Sequence, residues 1–175
     1  MEMLKDFNIS SFKKFKPPSD NSITTLNEIK NLKKIPIRKK FVQEMDDVGA
    51  NFRKIVGNDP IIKKLIAQSY KKIIELKDHY DRPRPAVLAK KLNIDLKDIK
   101  LKSMNTPSYP SGHSAQSTLL ALVLSDKYPD KQDKLKKLAR DTSYSRQVAH
   151  THYSSDSNDG EKLGKLMYEH VKDKI

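Results

Sequence analysis

Cysteine and tryptophan are both absent from the 175 residues, and glycine occurs only five times. Without cysteine there are no disulfides, no thiolate catalysis and no thiolate-held zinc. Long apolar runs are missing too. The strongest, Leu119 to Leu124, is six residues long, against the ~20 that a membrane-spanning helix needs. No membrane insertion is expected. Met1 to Phe15 alternates charge with single apolar residues and lacks the apolar stretch of a secretory leader. On that basis the expected location is cytoplasmic, or periplasmic if a leader has been removed. Alternating apolar and polar runs are almost absent, which leaves no support for a sheet.

What is present is basic. Thirty-five Lys and Arg face 22 Asp and Glu, a net charge of +13. Residues 51–150 carry 21 basic and 10 acidic side chains, while 151–175 carry 4 and 5. A basic middle suits an anionic partner. Many of the lysines nevertheless come in pairs (Lys33-Lys34, Lys63-Lys64, Lys71-Lys72, Lys136-Lys137) where a helix would show its wet face. A specific nucleic-acid partner is not expected, because there is no reader motif and no aromatic stacking platform.

The composition, 36% hydrophobic and 33% charged, fits one compact domain. Pro17-Pro18 divides an N-terminal arm, residues 1–20, from a helical domain over 21–175. A helix capped by Ser22 or Thr24 runs to about Lys34 with Ile23, Leu26, Ile29 and Leu32 along one face. A second is expected over about Ile37 to Phe52. Asp59-Pro60 is a strong helix start, and the apolar stripe behind it reaches Tyr80, before Arg82-Pro83-Arg84-Pro85 forbids further helix. Short helical pieces are expected over 86–100 and a loop over 101–111. Three more helices follow: Gly112 or His113 to Lys127, Asp130 or Lys131 to at least Val148, and about Asp156 to Val171. The fold class expected is all-α, a single-domain bundle of six to eight helices.

Three local patterns carry chemistry. Lys77 is followed, after six residues, by Arg84-Pro85; next comes Pro110-Ser111-Gly112-His113; last is Ser145-Arg146, five residues, His152, three residues, Asp156. Singly, each has a plain structural reading as a helix-end charge, a capping turn or a capped helix start. Together they supply what one reaction needs. Lys77, Arg84 and Arg146 offer forked and point donors for a tetrahedral oxyanion. Ser111 and the N–H groups of Ser111, Gly112 and His113 stand where a helix begins, an anion site by its orphan donors and dipole. A neutral imidazole can attack phosphorus while a carboxylate on its other nitrogen fixes the tautomer. A second imidazole can protonate the departing oxygen.

These patterns, spacing included, resemble the signature of the type-2 phosphatidic acid phosphatase superfamily. It unites soluble bacterial acid phosphatases, membrane lipid phosphatases and vanadium haloperoxidases. The class A bacterial non-specific acid phosphatases are the most similar group. Lys77-Asp78-His79-Tyr80, Ser108-Tyr109-Pro110-Ser111-Gly112-His113, Ala121-Leu122-Val123-Leu124 with Pro129, and Pro17-Pro18 with Ser22 look like theirs. The likeness spans about residues 16–172 and is specific over 77–156. It implies an all-helical phosphomonoester hydrolase needing no metal and no cofactor, acting on soluble substrates such as nucleotides and inhibited by vanadate. In that resemblance His152 is the nucleophile that forms a phosphohistidine and Asp156 orients it. His113 is the general acid and then the base, and Lys77, Arg84, Ser111, Gly112 and Arg146 hold the phosphoryl oxygens. A homo-oligomer is also compatible with it. Class A members usually carry Trp after the nucleophile, where this chain has Tyr153, and are usually larger and exported.

Other readings are weaker. A lipid-phosphate or diphosphate phosphatase would use the same pocket. A vanadium-dependent haloperoxidase would share it as well, but such proteins are usually far longer. A metal-dependent hydrolase would need His150, His152, Asp156 and His113 as ligands, and residues two apart on a helix point apart.

Overall fold

The computed structural model describes residues 1–175 and is all-helical, with no strand. Its α-helices are α1 (Ile23–Lys34), α2 (Lys39–Met45), α3 (Val48–Val56), α4 (Pro60–Tyr80), α5 (Pro85–Lys91), α6 (Gly112–Lys127), α7 (Gln132–Val148) and α8 (Ser154–Val171). The start signals act as their chemistry dictates. Ser22 Oγ accepts the Thr25 N–H, Asp59 Oδ1 accepts the Ile61 N–H, and Ser111 Oγ accepts the Ser114 N–H. Each satisfies one of the four donors a helix leaves unpaired at its N-terminus.

One expected element differs. The single helix over 37–52 is two, broken at Asp46-Asp47. The Asp47 carboxylate accepts the Ala50 N–H at 2.9 Å and starts α3, and Asn51 donates from its side-chain amide to the Glu44 carbonyl across the break at 2.7 Å. Acceptors this close to the backbone compete with a continuous helix.

Helix α6 is buried on nearly every side, from Ser114 and Ala115 to Val123 and Leu124, so it occupies the centre. Helices α4, α7 and α8 pack around it, with α3 at its flank. Two glycines set how closely α8 lies on it. A Cβ at Gly160 would sit 2.6 Å from the Ser111 carbonyl oxygen, and one at Gly164 2.5 Å from that of Ala115. This contact brings the start of α8 against the start of α6, where the Ser111 N–H donates to the Asp156 carbonyl at 3.0 Å.

The arm is folded onto this body. Met3, Leu4, Phe7 and Phe12 are buried in the main core, each worth ~1.5–3 kcal/mol of removed apolar surface. Gln68 accepts the Leu4 N–H, and the Tyr80 hydroxyl donates to the Phe15 carbonyl. A smaller cluster of Ile29, Leu32, Leu88, Ala89, Leu96 and Tyr153 fastens α1 to α5 and the start of α8. No helix is long and apolar enough to cross a membrane.

Candidate active site

The three patterns converge. Lys77 lies in the last turn of α4, Arg84 just before α5, Gly112 and His113 in the first turn of α6, and His152 in the turn between α7 and α8. All five line one cavity of about 280 Å³. Asp156 is behind His152 rather than in the cavity. Ser111 is fully buried, its hydroxyl capping α6 and its N–H held by Asp156. Arg146, at the end of α7, sits to one side with its guanidinium against Asp46 at 3.0 Å.

His152 is held at both ring nitrogens. Nδ1 is 3.0 Å from Asp156 Oδ2, and Nε2 is 2.9 Å from Arg84 Nη1. A guanidinium has no acceptor, so Nε2 carries the lone pair and Nδ1 carries the proton, donated to Asp156. The ring is therefore neutral, with its basic nitrogen on the cavity side. Burial, then the charges of Arg84, Lys77 and Arg146, drive the His152 pKa well below the ordinary imidazole value. Asp156 accepts from Arg82 at 2.7 Å, from the Ser108 hydroxyl, from His152 and from the Tyr153 N–H. Burial pushes its carboxyl pKa up, and Arg82 and Ser108 pull it back. With donors on every side, a proton on this carboxyl would face other donors, so the carboxylate is the form that fits.

His113 Nε2 lies 2.8 Å from the Asp46 main-chain carbonyl. A carbonyl only accepts, so Nε2 carries the proton there and Nδ1 is the nitrogen left for exchange. Burial lowers the His113 pKa, and the Asp46 side chain, 3.4 Å away, raises it again. The Asp46 carboxyl is itself held at about 2, first by its hydrogen bond to His113 and also by the charge of Arg146.

On the cationic side of the cavity the donors have protein acceptors. Arg84 gives Nε to the Thr106 carbonyl, Nη1 to the Thr151 carbonyl and His152, and Nη2 to the Ser103 carbonyl and the Thr106 hydroxyl. Lys77 Nζ donates to the Pro107 carbonyl at 2.6 Å. Burial, then the neighbouring Arg84 charge, lowers the Lys77 pKa to about 7. The carbonyls of Ser103, Thr106 and Pro107 thus hold both cations. A Cβ at Gly112 would meet Ile73 and Lys77 at 3.5 and 4.0 Å, so glycine keeps room beside the lysine.

Two other residues are placed plainly. Tyr153 is buried away from the cavity, its hydroxyl on the Pro83 carbonyl and its ring 3.7 Å under Arg82. His150 is directed elsewhere, its ring nitrogens 2.7 and 2.8 Å from the Lys97 and Ile35 carbonyls.

Sequence reasoning missed Asp46, Arg82, Glu28 and Ser108. Ser108 and Arg82 lie within the stretches Ser108–His113 and Arg82–Pro85, but nothing local marks their partners. Glu28 on α1 binds Arg82, the Ser154 hydroxyl and both the N–H and hydroxyl of Ser155. Asp46 sits 100 residues before Arg146, and the only signal for it was the Asp-Asp pair that breaks α2 from α3. Its electrostatic part is testable, because Asp46→Asn keeps the main-chain carbonyl that holds the ring. In an NMR titration His113 is expected to lose its proton at lower pH in Asp46→Asn than in the wild type. An unchanged His113 titration would refute the assignment.

A non-specific acid phosphatase of Salmonella typhimurium is 33% identical over 109 residues, which is 62% of this chain and 43% of that protein. One of Providencia stuartii is 39% identical over 80 residues, 46% of this chain and 32% of that protein. The match thus spans less than half the length of these relatives. A bacterial vanadium-dependent iodoperoxidase of known structure superposes with a TM-score of 0.76 at 17% identity, over 97% of this chain and 54% of its own, so the bundle is of that fold. The sequence profile of the PAP2 superfamily matches residues 62–166, which contain every one of the cavity's cationic and imidazole side chains, and the chain belongs to that superfamily.

Proposed function

We propose that the chain is a phosphomonoester hydrolase of the acid phosphatase type, metal-independent and working through a phosphohistidine on His152, with soluble esters such as nucleotides as substrates. One observation carries this reading. A neutral His152, with its tautomer fixed by buried Asp156, presents Nε2 to a cavity lined by Lys77 and Arg84. A substrate phosphoryl group takes over the Arg84 and Lys77 donors and the free N–H groups of Gly112 and His113, releasing the Nε2 lone pair. Nε2 then bonds to phosphorus as the P–O bond to the leaving group breaks, and His113 gives that oxygen a proton. Water, deprotonated by His113, cleaves the P–N bond, and inorganic phosphate leaves with His152 neutral again. Arg146, beside Asp46, adds charge that steadies the developing oxyanion.

The pKa directions set the pH dependence. His152 acts as the free base, and its pKa lies well below the ordinary value. His113 acts as the acid, its pKa also lowered but supported by Asp46. Both states coexist only on the acidic side of ~6.5. Lys77 loses its charge above about 7, which weakens phosphate binding there. The test is a screen of phosphomonoesters, diphosphates and lipid phosphates across pH, with and without EDTA and vanadate. Monoester hydrolysis with an acidic optimum, surviving EDTA and blocked by vanadate as a five-coordinate mimic, is the expected result. An optimum above neutrality, or loss in EDTA restored by a divalent metal, would overturn the mechanism.

A further inference from the structure

The cavity has two unlike halves. Its floor holds Lys77, Arg84, Gly112, His113 and His152, and its mouth is walled on one side by Tyr70 and Ile74 of α4. Tyr70 and Ile74 lie one turn apart on the face that continues down to Lys77. Seven residues of helix at ~1.5 Å each put the Tyr70 backbone about 10 Å along α4 from that of Lys77. Tyr70 is 56% exposed, and core packing does not account for its position. Facing this apolar wall, Lys102 and Asn105 are exposed and polar.

We infer that Tyr70 is a specificity-determining residue, a platform for the flat base of a nucleoside leaving group, so that nucleoside monophosphates are preferred over monoesters of short aliphatic alcohols. This rests on the phosphomonoester reading above. With the phosphoryl group on the floor, a nucleoside is long enough to lay its base on the Tyr70 ring and Ile74. Lys102 and Asn105 then face its hydroxyls and ring heteroatoms. A three-carbon alcohol is too short to reach the ring. Stacking of a flat π-system on an exposed tyrosine favours the longer substrate without changing the chemistry at phosphorus.

The experiment compares adenosine 5′-monophosphate with glycerol phosphate, both esters of alkyl alcohols, so that leaving-group chemistry is matched. In the wild type, kcat/KM favours the nucleotide. In Tyr70→Ala that ratio is expected to fall about 5–50-fold, mainly through KM for the nucleotide, and Tyr70→Phe is expected to keep it. An unchanged ratio in Tyr70→Ala, with both esters hydrolysed, overturns this inference and leaves the phosphatase reading standing. A wild-type protein that hydrolyses neither ester overturns both.

Discussion

His152→Ala is expected to abolish turnover of every phosphomonoester, while His113→Ala is expected to keep a fraction that depends on the leaving group. In the proposed chemistry no phosphoenzyme forms without the His152 nitrogen. His113 supplies proton transfer, typically ~10²–10⁴-fold in rate. A phenolate leaving group of low pKa departs without that proton, so the His113→Ala penalty shrinks for such an ester. Quenching in alkaline denaturant during turnover of that ester is expected to trap an acid-labile phosphoramidate on His113→Ala and none on His152→Ala. Label on His152→Ala alone would reverse the two roles. Full activity in both variants would make the convergence at the cavity a matter of structure only.

The second large effect lies outside the cavity. Arg82 is buried, with Asp156 at 2.7 Å, Glu28 at 3.2 Å and the Ser155 hydroxyl at 2.8 Å around it. Arg82→Met leaves two buried carboxylates unpaired, and breaking such a network costs ~3–5 kcal/mol against a total stability of ~5–15. For a chain of this size that is a fall in Tm of roughly 6–20 °C. Adding Glu28→Gln to Arg82→Met is expected to cost less than the sum of the two single changes, because one stranded charge is gone. Thermal melts of the two singles and the double read this directly. An Arg82→Met protein that melts with the wild type would refute the network's importance.

How far the sequence reveals this protein follows the range of the forces involved. Caps and breakers act within a few residues, so Ser22, Asp59-Pro60 and Ser111 mark their helices correctly. The Asp46-Asp47 break is equally local, but the apolar spacing of Phe41, Met45 and Val48 runs straight through it and suggests one helix. Lys77, Arg84, His113 and His152 are legible because their chemistry is written in fixed short spacings. Their supports are not. Glu28 meets Ser155 across 127 residues, and Asp46 meets Arg146 across 100. On its own segment each is an ordinary surface-type acid.

The seam between α1–α3 and the later helices has a consequence for the order of events during synthesis. Glu28 and Asp46 leave the ribosome early and wait for Ser155 and Arg146, and the Ile35 carbonyl waits 115 residues for His150. Contacts of such separation form late, after the entropy of closing long loops has been overcome. Helices α4, α6, α7 and α8 can gather around their apolar core first, with α1–α3 closing over them afterwards as the charged cluster assembles. A chain stalled before Asp156 therefore holds Lys77 and Arg84 without a partner for the histidine. The supports from Glu28 and Asp46 are therefore the last part of the site expected to close.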